Sequence, residues 1–472
     1  MIQQLKKIGR LKTKKSKHIK TSRISLGFEK LDRDMFEPEK AYDFVGELGV
    51  KYIRLQSGWQ KTETQKGVYD FAWLDKVVDK FISMGIEPWL CLCYGNGLYT
   101  ESAKEVFGGV GCPPINTLEE KNAWANYVKS TVEHFKGRIH YYEVWNEPDG
   151  EWCWKHGVNA KELYDFTKLT AKACKEADDL CEVIGMVTCH AYSDYLDELC
   201  ELGIMDEIDV VCYHAYGKAD ATYKFFYDNY DNRRKKYKPS IKMIQGESGG
   251  QSRPDGWGAL WGGAWTELKQ AKITLRRIII ELSENLIFTS QFSCMDMAEA
   301  LHGKEGDAST IKDFGFFGLL GADFSSDGKS TGEYHPKLAY YALQNLCAIL
   351  CEEYKVKMLD IRPISEFSQR MLGQNYDFNK AQKYYFEREN GSGALFYWVD
   401  KNVLTETYDG ETSFKIKIEN GVKKLSFIDV LDGYEYELDG EHFYIEDGYY
   451  RFKNLPITDS PLLIIFGNFL GE

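Results

Sequence analysis

The chain of 472 residues has only nine histidines, no long apolar run and no regular cysteine spacing. No stretch approaches the roughly 18 apolar residues of a membrane-spanning helix. The 12 cysteines form neither a disulfide framework nor paired zinc-ligand spacings, so we expect free thiols that pack as small apolar side chains in a reducing compartment. These absences predict a cytoplasmic protein without a metal centre or a membrane span.

Acidic residues outnumber basic ones, and the formal net charge is −13. This balance argues against nucleic acid or an anionic membrane surface as a partner. Residues 1–23 differ, because they contain nine Lys or Arg residues and no acid. A nucleic-acid arm or a targeting signal is one interpretation, but a solvated tail fits better because like charges repel. No apolar segment follows the basic run, so it does not resemble a secretory signal.

Strand-like and helix-like runs alternate through residues 24–352. The strand candidates are Ile24–Phe28, Tyr52–Gln56, Pro88–Cys93, His140–Trp145, Val183–Thr188, Val210–Tyr213, Met243–Gly246 and Leu286–Phe292. The helix candidates are Pro38–Leu48, Trp73–Met84, Glu119–Phe135, Ala160–Ala177, Ser193–Leu202, Thr222–Lys236, Leu268–Ser283 and Pro336–Glu352. Eight such units predict an α/β fold, a (β/α)8 TIM barrel. A doubly wound sheet is the alternative, but no GxGxxG follows the first strand.

After Glu353 the pattern changes to short strands separated by turn signals such as Asp432-Gly433 and Asp447-Gly448. The strand candidates are Met358–Ile361, Lys383–Phe386, Ala394–Val399, Ser413–Ile418, Leu425–Val430, Tyr434–Leu438, Phe443–Ile445 and Leu462–Phe466. Such spacing predicts a C-terminal antiparallel β-sandwich, part of which can pair with the first residues of the chain. The chain therefore divides into a basic segment (1–23), a barrel (24–352) and a sandwich (353–472).

Two glutamates at the ends of strand candidates define the candidate site. Tyr141–Trp145 leads into Asn146-Glu147-Pro148, and a later apolar run leads into Gln245-Gly246-Glu247. Burial at a strand end raises a carboxyl pKa, which suits a general acid. Because strand ends converge on one mouth of a barrel, the pair predicts glycoside hydrolysis, which uses two carboxylates flanking one bond. Taken singly, Glu147 can be a helix cap and Glu247 a loop carboxylate.

Other polar and aromatic residues stand at or just after strand ends, where they can bind a sugar. They are Glu29, Arg54, Trp59, Tyr94, Asn96, His214, Tyr216 and Asp296, with Trp152 in the loop after the fourth strand. Structural roles are the alternative: an ion pair for Arg54, a core position for His214, and a loop salt bridge among Glu29, Asp32 and Arg33. Aromatic residues in the loops after the fourth and seventh strands favour a pocket over an open cleft.

Trp145-Asn146-Glu147-Pro148 and Gly246-Glu247 resemble the signature of clan A retaining glycoside hydrolases. The appended sandwich is similar to that of family 39, the β-xylosidase family. The resemblance implies that Glu147 is the acid/base and Glu247 the nucleophile, with carboxyl groups about 5 Å apart. It implies that Asn146 holds the sugar 2-hydroxyl and that Arg54 keeps Glu247 ionised. It implies strand-6 positions for His214 and Tyr216, with Tyr216 hydrogen-bonded to the nucleophile.

The chain departs from this pattern at the ends of its eighth and seventh strands. Many clan members have a Trp at the end of strand 8, where this chain has Gln291–Asp296. Asp296 is expected to bind a sugar hydroxyl there. The strand-7 motif, Gln245–Gly250, also differs from the Thr-Glu-Tyr type of family 39, which would fit a neighbouring family of the clan.

The sequence therefore predicts a retaining, exo-acting β-glycosidase that hydrolyses short oligosaccharides or glycosides without a cofactor. By resemblance, a β-xylosidase is expected first, then a β-glucosidase or β-galactosidase, and a homo-oligomer is implied. One alternative is an endo-acting β-glucanase or mannanase of the same clan. Another is a non-catalytic glycan-binding protein, against which the two intact carboxylates count. A metal-dependent barrel enzyme would need clustered ligands at strand ends, which the histidines do not supply.

Overall fold

A closed barrel of eight parallel strands forms the centre of the protein. The computed structural model describes residues 2, 5–299, 313–364, 375–418 and 425–471. After a first strand, β1 (Lys7–Arg10), the barrel strands are β2 (Ile24–Gly27), β3 (Tyr52–Gln56), β4 (Glu87–Cys91), β5 (Tyr141–Glu143), β6 (Glu182–Thr188), β7 (Val210–His214), β8 (Lys242–Glu247) and β9 (Thr289–Gln291). Each strand pairs in parallel with the next, and β9 returns to β2. The predicted (β/α)8 barrel is confirmed.

Amphipathic helices cover the outside of the barrel. They are α1 (Pro38–Leu48), α2 (Trp59–Thr62), α3 (Ala72–Ser83), α4 (Leu118–Phe135), α5 (Ala160–Ala177), α6 (Ser193–Glu201), α7 (Ile204–Glu207), α8 (Asp220–Tyr237), α9 (Glu267–Leu282) and α10 (Leu338–Ile349). In α3, for example, Leu74, Val77, Val78 and Phe81 are buried, at the spacing of one helix face. Because both faces of a parallel sheet are then covered, the barrel strands are buried along nearly their whole length.

Between β9 and α10 the chain forms two hairpins that the sequence pattern did not predict. β10 (Met297–Ala298) pairs with β11 (Phe314–Gly315), and β12 (Leu320–Phe324) pairs with β13 (Ser330–Pro336). Two strands have only two residues each, and the other two are largely polar and partly exposed. None of them offers the alternation from which a strand is recognised. The insertion begins beside the carboxyl end of β9, so it contributes to the barrel mouth.

The C-terminal region is an antiparallel sandwich, as predicted. Its strands are β14 (Lys355–Lys357), β15 (Ile361–Pro363), β16 (Asn375–Tyr376), β17 (Gln382–Glu387), β18 (Gly393–Trp398), β19 (Asp409–Ile416), β20 (Leu425–Asp429), β21 (Tyr434–Tyr436), β22 (Phe443–Glu446), β23 (Tyr449–Thr458) and β24 (Leu462–Phe466). One sheet has the order β1-β21-β20-β24-β18-β17-β14, and the other the order β15-β19-β23-β22 with β16 alongside β19. The two sheets enclose an apolar core separate from that of the barrel.

The sequence prediction missed β23, the longest strand of the sandwich. Asn454 and Pro456 lie inside it, and both residue types normally break a strand. Asn454 has a φ of 49°, and the register with β19 shifts between Thr412 and Phe414, so a bulge accommodates the irregularity. Tertiary pairing with β19 and β22 here overrides the local preference.

The basic N-terminal segment is attached to the sandwich, so the prediction of a solvated tail is wrong for the part that the structure describes. β1 is an edge strand that pairs with β21. The Lys7 ammonium lies 3.5 Å from the centre of the Tyr434 ring, and Lys6 forms an ion pair with Glu437 at 2.8 Å. The positive charges therefore help to hold this segment on the sandwich, because the Lys side chains contact an aromatic face and an acid at the neighbouring strand. The pairing of the first residues with the sandwich was the alternative left open above.

No helix within the described ranges is long and apolar enough to cross a bilayer. All 12 cysteines are free thiols, and 11 of them are buried. They therefore act in this fold as the small apolar side chains that their irregular spacing suggested.

Candidate active site

Two glutamates meet at the carboxyl end of the barrel. Glu247 is the last residue of β8, and Glu147 lies four residues after the end of β5. One carboxylate oxygen of each lies within 4.8 Å of the other and of a ring nitrogen of His214. Both side chains are largely buried, with 11% of each side-chain surface exposed. This spacing is that of two carboxylates that act directly on one bond, with no space for a water between them.

Glu247 is held by a cation and by a phenol. Nη1 of Arg54 lies 2.5 Å from its Oε2, and the Tyr216 hydroxyl donates to its Oε1 at 2.8 Å. Burial disfavours the charge of Arg54, but Glu143 and the neighbouring Glu247 and Glu29 raise the pKa of the guanidinium well above its usual value. A permanent cation and a hydrogen-bond donor therefore both contact the Glu247 carboxyl group.

The environment of Glu147 favours the protonated form. Burial raises its pKa to about 7, although the hydrogen bond that Trp152 Nε1 donates to its Oε2 at 2.8 Å opposes this shift. His214 Nδ1 lies 2.8 Å from the other carboxyl oxygen. Because burial lowers the pKa of His214, the ring is neutral at neutral pH and does not hold Glu147 as an anion. Glu147 therefore has the protonation behaviour of a general acid near pH 7.

Arg54 also orients a second side chain at the mouth. Its Nη2 donates to Oδ1 of Asn146 at 2.7 Å and to the buried carboxylate of Glu143. The Asn146 amide in turn donates to Sγ of Cys153 at 3.3 Å. One buried guanidinium thus connects β3, β5 and β8, and it fixes Asn146 relative to Glu247.

A cavity of about 520 Å³ opens onto both glutamates. Of the residues predicted to bind substrate, those that line it are Glu29, Tyr94, Asn146, Trp152 and Tyr216. Arg54 and His214 are fully buried beneath its floor, where they contact the two glutamates. Burial raises the pKa of Glu29 to about 8, so this carboxyl is protonated at neutral pH and can donate to a hydroxyl.

Four buried residues on one side of the cavity form a connected surface that we call the inner wall: Lys30, Arg33, Gln56 and Tyr94. Oε1 of Gln56 accepts from the Lys30 backbone N–H at 2.9 Å and from Arg33 Nη2 at 2.6 Å. Nε2 of Gln56 donates to the Tyr94 hydroxyl at 3.2 Å. Every member is therefore held by another, and the wall is continuous.

Three residues predicted to bind substrate lie elsewhere. Trp59 is fully buried, and its indole donates to Glu63 at 2.6 Å beneath the aromatic rings of Tyr99 and Tyr127. Asn96 donates to the Glu63 carbonyl at 2.9 Å and lines a neighbouring cavity. Both residues follow their strands by a few positions, which is enough for the chain to turn them away from the barrel axis.

Asp296 is the third correction, because it is part of a buried ion pair. Its Oδ1 lies 2.7 Å from Nζ of Lys337 and accepts from the Gly318 N–H at 2.9 Å. Ser330 donates to its backbone carbonyl. These partners belong to the insertion after β9, which the sequence did not reveal. Asp296 therefore joins the insertion to the barrel.

We expect Asp296→Asn to reduce stability without altering substrate affinity. The variant leaves the Lys337 ammonium buried without a counter-charge, which costs about 3 kcal/mol, and KM should stay within about twofold. Thermal unfolding and steady-state kinetics measure the two effects. Asp360→Asn is the matched control, because its ion pair with Arg362 is exposed to solvent and contributes little to stability. A large rise in KM with unchanged stability would instead show that Asp296 binds the substrate.

Several residues that line the cavity were not predicted. They include Lys30, Gln56, His190, Phe292, Glu299 and Phe317, whereas Trp261 belongs to the aromatic loop after the seventh strand that was expected to wall the pocket. Gln56 ends β3 and Phe292 follows β9, so the strand-end rule could have found both. Phe292 stands where the resemblance led us to look for a Trp. Glu299 and Phe317 belong to the insertion, for which no sequence pattern existed.

Three groups of described residues have the atoms to ligate a metal, and two of them include His214. The third consists of Asp149, Cys189 and His190. In that group Asp149 already accepts the backbone N–H groups of Cys189 and His190 at 3.1 and 2.8 Å. The His214 groups lie beside the buried Arg54 cation, which disfavours a second cation. Protein partners thus account for Asp149 in the third group.

This arrangement can be compared with known proteins. The model of "Glycosyl hydrolases family 39" matches residues 31–244, which include Glu147 and end just before Glu247. This segment, which is slightly less than half of the chain, is thus similar to glycosyl hydrolases family 39. A β-xylosidase from Geobacillus stearothermophilus is 26% identical over 245 residues, which are 46% of this chain and 47% of that protein. The matched part therefore spans about half the length of this curated relative.

Solved family 39 structures share the fold over nearly the whole chain. A family 39 glycoside hydrolase from Bacteroides cellulosilyticus WH2 has a TM-score of 0.63 and 16% identity, covering 94% of this chain and 80% of that one. A family 39 β-xylosidase from Caulobacter crescentus has a TM-score of 0.58 and 16% identity, covering 97% of this chain and 98% of that one. At this identity the likeness concerns the architecture of barrel and sandwich. The family 39 resemblance noted in the sequence is confirmed.

Proposed function

We propose that the protein is a retaining, exo-acting β-glycosidase that removes single sugars, β-xylose first among them, from short oligosaccharides or glycosides. The observation that carries the proposal is the approach of the Glu147 and Glu247 carboxyl groups to within 4.8 Å, with Glu247 held by Arg54 and Tyr216. The β-xyloside substrate is supported by the names of the Geobacillus and Caulobacter relatives.

The reaction proceeds in two displacements. Ionised Glu247 attacks the anomeric carbon and forms a glycosyl ester, while Glu147 gives its proton to the leaving oxygen. Glu147 then takes a proton from a water molecule, which attacks the anomeric carbon and releases Glu247. Asn146 lies beside Glu247 on the same guanidinium, where its amide can hold the sugar 2-hydroxyl.

Exo action is supported by the inner wall. Glu147 must reach the leaving oxygen, so the leaving group lies on the side of its neighbours Trp152 and His190. The sugar ring then lies toward the inner wall, whose side chains are hydrogen-bonded to one another and stand where a further sugar would have to extend. On the open side, Trp261 lines the cavity with 68% of its surface exposed, so its face can stack on the leaving sugar.

The cytoplasm is the proposed compartment, because an oxidising one would put 12 free thiols at risk. Short glycosides that have already been imported are then the available substrates.

A panel of nitrophenyl β-glycosides tests the proposal. We expect the xyloside to be hydrolysed with the highest kcat/KM among the xylo, gluco, galacto, fuco and arabino substrates. Proton NMR of the first minutes of reaction should show the β-anomer before mutarotation, since two inversions restore the configuration. Initial formation of the α-anomer would contradict retention, and turnover of none of the substrates would contradict the enzyme assignment.

The pH dependence of kcat/KM should report the pKa of Glu147. Because Glu147 must be protonated to act, we expect kcat/KM to fall as the pH rises through about 7. Trp152→Phe removes a hydrogen bond that favours the carboxylate, so the fall should move to higher pH by about one unit. Trp257→Phe is the control, because this exposed indole does not line the cavity. An unchanged pH profile in Trp152→Phe would mean that the observed pKa does not belong to Glu147.

A further inference from the structure

A second cavity of about 570 Å³ lies against the first, and Arg33 lines both. Its lining is polar and carries both charges, including Asp32, Asp34, Lys61, Glu63 and Asn96. The two cavities have similar volumes, each within the range of small-molecule sites. Hydroxyl-rich ligands suit such a lining, because acceptors and donors are both available.

Arg33 is a tightly held part of the boundary between the cavities. Only 2% of its side-chain surface is exposed. Its Nη2 donates to Gln56 at 2.6 Å, its Nε donates to Asp32 at 3.3 Å, and its guanidinium lies 5.5 Å from the centre of the Tyr94 ring. Three neighbours thus fix the head group in one position.

The stem of Arg33 is sealed by the loop that follows β4. Gly108 has a φ of 64°, and a Cβ atom added there would lie 2.7 Å from Arg33 Cγ and 2.6 Å from its Cδ. The backbone of this loop can approach so closely only because residue 108 is a glycine. With the loop backbone against its stem and Gln56 and Tyr94 against its head group, Arg33 stands between the two cavities that it lines.

We propose that Arg33 is a specificity-determining residue that limits the glycone site to one sugar, and that the cavity behind it can take a second sugar once the side chain is shortened. The inference rests on the proposed function, which orients the non-reducing sugar toward the inner wall. Arg33 does not contact the bond that breaks. It therefore determines how many sugars fit on the non-reducing side of that bond, and so which product is released.

Nitrophenyl β-xylobioside tests this role, because the position of cleavage identifies the depth of the site. Wild-type enzyme should first release xylose and leave nitrophenyl xyloside. Arg33→Ala should break the bond between the inner anomeric carbon and the phenol oxygen, with water supplying the hydroxyl and the proton, and so release xylobiose with nitrophenol. We expect the ratio of xylobiose to xylose among the first products, measured by chromatography, to rise at least about tenfold.

Two further variants keep the result interpretable. Arg33→Ala leaves the buried Asp32 without its partner, so the double variant Asp32→Asn/Arg33→Ala removes that charge as well. Arg362→Ala, at an exposed arginine of the sandwich, should leave the product ratio unchanged. If folded Arg33→Ala and the double variant both release xylose first, the inference is wrong.

A measurement on the wild-type enzyme needs no variant. Digestion of xylotetraose should yield only xylose as the released unit at early times, and direct release of xylobiose would overturn the role of Arg33. The proposed function and the inference about Arg33 can fail separately. If the variants hydrolyse nitrophenyl xyloside but their product ratio is unaltered, only the inference is rejected. Absence of any β-glycosidase activity in the wild-type enzyme rejects both.

Discussion

Glu247→Ala should lose at least about 10⁴-fold in kcat on nitrophenyl β-glycosides, because it removes the atom that attacks the anomeric carbon. Arg54 and Tyr216 stay in place around an empty position, so the substrate should still bind. Added azide is small enough to enter that position and attack from the same face. We therefore expect partial recovery of activity and an α-glycosyl azide as the product.

The configuration of the azide product makes this experiment specific. Steady-state kinetics with and without azide, followed by NMR of the product, measure both parts. Glu101→Ala is the control, since Glu101 is an exposed glutamate that ion-pairs with Lys104 and should leave the rate unchanged. Recovery without an α-azide, or no recovery in a folded variant, would remove Glu247 from the nucleophile role.

Glu147→Gln should affect substrates according to the leaving group. A poor leaving group needs its oxygen protonated as the bond breaks, so kcat/KM should fall about 10²- to 10⁴-fold. Dinitrophenolate leaves without a proton, so kcat/KM for a dinitrophenyl glycoside should change by less than about tenfold. Glutamine is nearly isosteric and can keep the contacts with Trp152 and His214.

The same variant should also lose the fall of kcat/KM near pH 7, because the titrating carboxyl is gone. Azide should again accelerate the second step, but here it attacks the glycosyl ester of Glu247 and gives the β-azide. Opposite azide products from the two variants distinguish the two glutamates within one assay. Equal losses on good and poor leaving groups would be incompatible with an acid role for Glu147.

The sequence was most informative where local pattern and chemistry coincide. Barrel strands and helices alternate with strong periodicity, and several bounds agreed with the structure to the residue, among them Tyr52–Gln56 and Ala160–Ala177. Glu147 and Glu247 were recognisable because an acid at the end of an apolar strand is costly to bury without a function, and Asn146 was identified through the family resemblance. Parallel strands then bring such ends together whatever the intervening helices contain.

Elements whose form depends on distant partners escaped prediction. β23 contains strand breakers but is held by two neighbouring strands, and the hairpins after β9 are too short for a pattern. The basic residues of β1 suggested a solvated tail, whereas Tyr434 and Glu437, more than 420 positions away, dock them to the sandwich. Trp59, Asn96 and Asp296 stood at the right distance after their strands, yet the loops turn each of them to a local partner.

Periodicity and residue type were enough to predict three things from the sequence alone: the order of strands and helices, the two strand-end glutamates and the family resemblance. The ion pair of Asp296, the inner wall and the position of Arg33 between two cavities could not be predicted in this way. Those features depend on burial and on the angles between loops that follow different strands. A shift of one residue in such a loop moves a side chain from the cavity into the core. The residues that carry the chemistry of this site were thus recognisable from short stretches of sequence. The depth of the pocket is set by side chains that come together only in the folded barrel.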